Sequence, residues 1–371
     1  MFQKDSRNPR RIAFFSALCL FLAAVEYAVP KPLPFMRIGL ANLPIMLSLT
    51  AMSRRETAVL IGFKILAQGL LSGTFFSYVF VLSAGGSCAA GICMLAVAAT
   101  IRAKKISYVG ISVIGALANN AAQIALAAAI LFGKNTRYIA PLLLVIGTAS
   151  GTVLGFFTNA FCKKARWYAQ LIEGEVSPSL QSPHSVPVFS ATPSHGMPSA
   201  AAVKTAAPQP RHKKFRDYIE FTAALLCLPF FVLERDVRII WVCVFVFFVA
   251  VLIKRRGAVN ILPSFFVVLF VTVFALLSPS GKVLYEIGHF RITAGALLYG
   301  LKKSGTLVGM VFLSQFAISP RLALPGAAGA FLQNVFAYFD VLTAQRVPFK
   351  RGHIIEAIDE HLMEITQKLP L

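Results

Sequence analysis

Two side chains in the first third of the chain are expensive where they stand. Glu26 and Lys64 lie within long apolar runs, and an ionisable group at the centre of a membrane helix costs about 2.5 to 3.5 kcal/mol on insertion scales. Opposite charges at these places can pair with each other or hold a polar ligand. They can also do no more than join helices, with Glu26 at the interface and Lys64 snorkelling toward the cytoplasm. Neutral polar groups surround them: Asn42, Gln68 one turn after Lys64, and Asn119, Asn120 and Gln123. Residues four apart share a helix face, so Lys64 with Gln68 and Asn119 with Gln123 make two polar faces. Such faces can bind a polar solute or hydrogen-bond helix to helix. Glu26, Asn42, Lys64, Gln68, Asn119, Asn120 and Gln123 form the candidate substrate-binding set.

The elements that must carry these residues follow from composition. Of 371 residues 57% are hydrophobic and 14% charged, too few charges to cover the surface of soluble domains, so the chain finds its solvent in lipid. Lys and Arg number 36 against 15 Asp and Glu. In a soluble protein that excess would point to nucleic acid. Here the basic residues fall in short knots between apolar runs, so topology explains them and no nucleic-acid partner is expected. The six cysteines form no CxxC pair and no His stands at ligand spacing, which predicts inert thiols rather than a metal site.

Crossing about 30 Å of hydrocarbon takes about 20 apolar residues in a helix. Six such runs occupy the first half, at about 12–29, 38–52, 57–81, 83–101, 107–132 and 138–162. The second is short for a full span, and the Pro-rich approach at 30–34 allows it to be tilted, broken or re-entrant. Counting Lys and Arg in alternate loops puts the amino terminus in the cytoplasm of a multi-pass protein of the cell (inner) membrane. Gly147, Gly151 and Gly155 make a double GxxxG suited to close helix packing. Gly85-Gly86 reads as a tight turn between the third and fourth spans.

Residues 166–215 turn to Ser, Pro and Ala and close on Arg211, Lys213, Lys214 and Arg216, the composition of a disordered cytoplasmic linker. Four further runs follow, at about 218–233, 237–253, 259–277 and 292–318, giving about ten spans. The stretch 322–348 is interrupted by Pro325, Gly326, Gly329 and Asp340. In the tail, 350–371, Ile354, Ile355, Ile358, Leu362 and Ile365 share one face and Glu356, Asp359, Glu360 and Glu364 the rest, which predicts a cytoplasmic amphipathic helix. The expected fold is an all-α polytopic membrane protein: a six-helix bundle over 1–165 and a membrane domain of four or more helices over 216–349.

No phosphate-binding GxxxxGK[ST], HExxH or GxSxG string is present. Prenyl diphosphate synthesis needs clustered carboxylates to hold Mg2+ on its substrate, and the adjacent acid pair here, Asp359-Glu360, lies in the tail. Neither an enzyme activity nor a cofactor is expected.

The ordered series Glu26, Pro30-Lys31-Pro32-Leu33-Pro34, Ile38-Gly39-Leu40-Ala41-Asn42, Lys64, Gly69, Ser72-Gly73, Leu82 to Gly86, Ile111 to Gly115, Asn119-Asn120 and Gln123 resembles the Gx transporter family. That family is also named heptaprenyl diphosphate synthase component I, and the likeness covers about residues 10–165. The family is similar to the six-helix substrate-binding S components of energy-coupling-factor (ECF) vitamin importers. The resemblance implies an outward-opening solute pocket with Glu26, Asn42, Asn119 and Gln123 at pocket or gating positions, and Lys64 where relatives carry Arg. Lys keeps the charge but not the bidentate fork. The second half more weakly resembles the T component of such importers, through Phe290 to Leu297 leading into a long helix, although that family's short Ala-Arg-Gly coupling motifs are absent.

The expected function is ECF-like uptake of a small polar or vitamin-like solute, with flavin one class by analogy, and with membrane lipid and cytosolic ABC-type ATPase subunits as partners. The alternatives are a non-catalytic membrane subunit of a heptaprenyl diphosphate synthase and a membrane anchor for a redox complex.

Overall fold

The computed structural model describes residues 9–28, 39–100, 107–176, 211–254, 261–287, 290–318, 326–344 and 354–368. The Pro-rich approach at 30–34 and residues 177–210 of the expected linker lie outside them, whereas the first part of that linker, 166–176, forms a helix whose Trp167, Tyr168 and Leu171 are buried.

The amino-terminal half contains α1 (Pro9–Ala28), a 3-10 turn (Leu40–Asn42) running into α2 (Leu43–Ala51), α3 (Arg54–Ser72), α4 (Tyr78–Thr100), α5 (Tyr108–Ala127), α6 (Ala140–Lys164) and α7 (Arg166–Val176). Helix α2 has nine residues, about 14 Å of rise, far short of a bilayer. Leu43 to Ser48 are all buried, so α2 is enclosed by protein, the condition under which a broken helix is tolerated at membrane depth.

Local sequence sets the bounds of α3. Ser53 Oγ accepts from Glu56 N at 3.3 Å while the Glu56 carboxylate accepts from Ser53 N at 2.9 Å, a reciprocal capping box. At the other end Gly73 takes φ 65°, and Gly73 N and Thr74 N donate to Leu70 O and Gly69 O, a Schellman stop. The break between the third and fourth runs therefore falls at 73–77. Gly85 and Gly86, expected to turn there, lie inside α4. They are small because α5 is close: a Cβ on Gly85 would stand 2.4 Å from Leu126 Cδ1, and one on Gly86 2.4 Å from Asn119 Oδ1.

The carboxy-terminal half contains α8 (Arg211–Leu233), α9 (Val237–Lys254), α10 (Leu262–Leu276), β1 (Val283–Ile287), β2 (Phe290–Thr293), α11 (Ala294–Ala317), α12 (Gly326–Ala344) and α13 (Ile354–Lys368). Strands β1 and β2 pair antiparallel and depart from the all-helical expectation. Their β-branched and aromatic residues suit an extended edge, and Ala294 N donating to Lys282 O at 2.8 Å ties the hairpin to the start of α11. The stretch expected to be interrupted by Pro325, Gly326, Gly329 and Asp340 carries one continuous helix, α12, from Gly326 onward.

Among the described residues five helices are long and apolar enough to cross a membrane: α4, α5 with its extension to Tyr138, α6, α9 and α11. The chain is accordingly a multi-pass membrane protein. Of the ten expected spans, α1 and α3 are long enough but carry charge, at Arg10, Arg11 and Glu26 and at Arg54, Arg55, Glu56 and Lys64. The apolar stretches of α2, α8 and α10 are shorter.

The last two helices return to the first half. Helix α12 packs on α1 and α3, with the Phe63 and Phe331 rings 4.2 Å apart and Phe14 meeting Tyr338 edge-on at 5.9 Å. The Asp359 carboxylate of α13 accepts from Arg166 N at 3.0 Å and Trp167 N at 2.9 Å, capping α7 in the way an N-cap side chain does. Asp359 thus sits buried rather than on the solvent face that periodicity assigns to it. Helix α11 meets the first half near both ends. Ser314 Oγ accepts from Phe76 N at 3.0 Å, and Leu307 clusters with Tyr78, Leu131 and Val271. Charge counting places the 73–77 loop outside and the Lys254 end of the second half inside. The structure brings them together through Phe76 and Phe221, 4.9 Å apart.

Candidate functional site

Each predicted polar residue of the amino-terminal half reaches its place through a specific local device. The chain re-enters at Gly39 with φ 88°, a left-handed conformation that glycine adopts at low cost. Gly39 N and Leu40 N point at Glu26 and donate to its Oε2 at 3.1 and 3.0 Å. The carboxylate of α1 thereby caps the 3-10 turn leading into α2, and it is 5% exposed. Charge-assisted bonds of this kind are roughly twice as strong as neutral ones. Glu26 thus fixes the position of the next polar residue, Asn42.

Asn42 Oδ1 accepts from Lys64 Nζ at 2.7 Å. Lys64 is 2% exposed, so its ammonium lies well inside the bundle and not at the snorkelled position left open by its sequence. Gln68, one turn further along α3, is also buried. The polar faces of α1, α2 and α3 therefore meet on the two sides of the 3-10 turn.

The second polar face is a string along α5. Gln123 Nε2 donates to Asn119 Oδ1 at 3.3 Å, Asn119 Nδ2 donates to Asn120 Oδ1 at 3.3 Å, and Asn120 Nδ2 donates across to the Leu143 carbonyl of α6 at 3.0 Å. Close approach of α6 makes the last bond possible. A Cβ on Gly147 would stand 1.5 Å from Asn120 Nδ2, one on Gly151 2.7 Å from Ala116 Cβ, and one on Gly155 2.5 Å from Val109 Cα. The double GxxxG packs α6 closely on α5 from Gly147 to Gly155, as such motifs do in membranes.

The two faces converge. Asn42, Asn119 and Asn120 line one cavity with Ser112, Ser150 and the Gly39 backbone. Its volume is about 20 Å3, enough for one water. Ser112 Oγ is buried and has no hydrogen-bond partner, and a polar group left so costs about 1 to 3 kcal/mol. A water or a solute hydroxyl in the cavity would relieve that cost. Lys64 reaches the cavity through Asn42, and Gln123 through Asn119. Glu26 reaches the cavity through Gly39, which it holds together with Leu40, and Gln68 is not among the lining residues.

Sequence reasoning passed over Ser112, although a signal was there: Ser112, Asn119, Asn120 and Gln123 continue one stripe at helical spacing. Among the described residues no group of three or more His, Cys, Asp and Glu side chains comes together. The cysteines are free, with Cys88 exposed and Cys19 buried.

Comparison with curated proteins and with solved structures gives no match for the chain. Two family matches divide the sequence much as the fold does. Residues 216–320, covering α8 to α11, match a family described as a domain of unknown function (DUF8519). Residues 15–161, the stretch that holds every residue of the polar site, match the family described as heptaprenyl diphosphate synthase component I.

Proposed function

We propose that the chain is a membrane transport protein whose amino-terminal bundle binds a small polar or vitamin-like solute, with an S-like and a T-like part joined in one polypeptide. The observation that carries this reading is the convergence of Asn42, Asn119 and Asn120 on a buried cavity where the Ser112 hydroxyl stands without a partner. Most buried polar groups are satisfied, so the Ser112 hydroxyl beside this cavity, like Thr272 Oγ1 and His361 Nε2 elsewhere among the described residues, calls for a partner such as a water or a ligand group.

A cavity of about 20 Å3 is closed to a vitamin-sized molecule, so loading requires one wall to move. Helices α5 and α6 are locked by close approach at the glycines of α6, where a Cβ on Gly155 would stand 2.5 Å from Val109 Cα. The movable wall is the 3-10 turn, which brings Gly39 and Asn42 to the cavity and is held by the Glu26 cap and by the Lys64 to Asn42 bond. A solute carbonyl or hydroxyl replacing Asn42 as acceptor for Lys64 would free the turn to swing. Uptake of the ECF type, with cytosolic ATPase partners, rests on the likeness of the sequence to those importers.

The test is a thermal-stability screen of the purified full chain against small polar solutes, since a ligand bound only by the folded state raises its midpoint. Ser112→Ala should fold as well as the parent and weaken the stabilising solute about 5- to 10-fold, the worth of one hydrogen bond. A solute that stabilises parent, Ser112→Ala and Asn119→Ala equally would remove this site from the account.

The matched family's description favours a second reading, a non-catalytic membrane subunit of a heptaprenyl diphosphate synthase. Co-purification with a prenyl synthase subunit, and restoration of that subunit's activity by this chain, would support it over transport.

A further inference from the structure

A second cavity is much roomier than the polar one in the amino-terminal bundle. A space of about 390 Å3 opens where the two halves meet, between the α5–α6 connection and the facing ends of α10 and α11. That volume lies in the range of small-molecule sites. Its lining is mixed. Phe132, Val271 and Phe274 supply apolar surface, with the Phe132 and Phe274 rings 5.2 Å apart. Lys134, Asn135, Tyr299 and Lys303 supply polar and basic groups. Among the described residues no Asp or Glu lines it.

The polar part is built rather than incidental. Asn135, 9% exposed, donates through Nδ2 to the Phe274 carbonyl at 2.7 Å and to Ser278 Oγ at 3.0 Å. These bonds fix the Lys134 loop against α10. Tyr299 and Lys303 share a face of α11, and Lys303 Nζ donates to Tyr299 Oη at 3.2 Å while lying 5.5 Å from its ring centroid. Two ammonium groups therefore border one space without a carboxylate between them, beside an aromatic wall. Lysines of this kind attract anionic lipid head groups, and Tyr marks the level of the membrane interface.

We propose that this junction binds an amphiphile with an anionic phosphate head: the phosphate between Lys134 and Lys303, and the hydrocarbon along Phe132, Val271 and Phe274. The site spans both halves, so its occupant bridges them, and it does not depend on the solute site. A neutral lipid gains only the apolar wall, and a free phosphate ion only the lysines, so the two parts of the site select a molecule carrying both.

The experiment uses the full chain in bilayers containing spin-labelled phosphatidylglycerol or phosphatidylcholine, with the immobilised lipid fraction read by electron paramagnetic resonance. Phosphatidylglycerol should be preferred. Lys134→Gln and Lys303→Gln should each reduce that preference about fivefold, as expected for one basic residue near an anionic head group. The Lys→Arg variants should keep it. Lys282→Gln, an exposed charge outside the cavity lining, should leave it unchanged. Equal immobilisation of the two lipids, or a preference that survives Lys134→Gln with Lys303→Gln, overturns the proposal. Release of phosphatidylglycerol by millimolar inorganic phosphate also overturns it, by showing that the lysines serve a soluble anion.

Discussion

Replacing Gly147 by Ala separates the two kinds of contact that hold α6 on α5. The added Cβ would lie 1.5 Å from Asn120 Nδ2, so the Asn120 amide must leave and its 3.0 Å bond to the Leu143 carbonyl is broken. The obstructing atom is the end of a side chain, so the helices themselves need not part. The cost is one buried hydrogen bond and a displaced amide, about 1 to 3 kcal/mol, offset by about 0.5 to 1 kcal/mol from replacing glycine in a helix. Gly155→Ala is different in kind, because its Cβ would meet Val109 Cα at 2.5 Å. The same glycine-replacement gain applies, but backbone must move there with no side-chain end whose departure relieves the clash, and overpacking of that sort costs about 1 to 3 kcal/mol and occasionally more. Unfolding free energies of the full chain in mixed micelles should therefore fall further for Gly155→Ala. Adding Asn120→Ala should recover most of the loss in Gly147→Ala and none of that in Gly155→Ala, a coupling that a double-mutant cycle measures. Equal losses, or a rescue of Gly155→Ala by Asn120→Ala, would refute this account of the interface.

Removing the acceptor in Asn42→Ala strips a buried ammonium of its 2.7 Å bond and should destabilise the bundle by about 1.5 to 3 kcal/mol, measured in the same micelle titration. Asp359→Ala should cost about 1 kcal/mol through loss of the α7 cap and raise amide exchange over 166–176, while exchange in α5 stays unchanged. Burial raises the Tyr168 phenol above its ordinary value, so the folded state favours the neutral form. That stabilisation is complete below about pH 10 and is lost as pH rises toward the higher folded-state value. The alkaline loss of stability should accordingly be smaller in Tyr168→Phe than in the parent.

What the sequence exposed best was the price of a charge in oil. Glu26 and Lys64 stand out from apolar runs without any knowledge of the fold, and Asn119, Asn120 and Gln123 follow from spacing on one helix. Their partners were not legible, because Glu26 is satisfied by backbone N–H groups of Gly39 and Leu40 and such groups leave no mark on side-chain pattern. Gly85-Gly86 misled because a glycine pair signals a turn in a soluble chain, whereas in a membrane bundle it can mark close helix approach. Asp359 was assigned to solvent by a period that sees one helix at a time, and the N-terminus of α7 lies 193 residues away in sequence. The hairpin of β1 and β2 was hidden because Phe290 to Thr293 was read together with the helix that follows. The small volume of the polar cavity and the larger one at the junction depend on several elements at once, which no local pattern records.

Native mass spectrometry of the full chain, released from mild detergent after expression with its natural small molecules present, tests the central claim most directly. The account predicts a polar, non-lipid molecule bound one to one, retained by the parent and lost or depleted in Asn119→Ala and Ser112→Ala. The same bare mass in all three proteins, or the same bound molecule at the same occupancy, would contradict it.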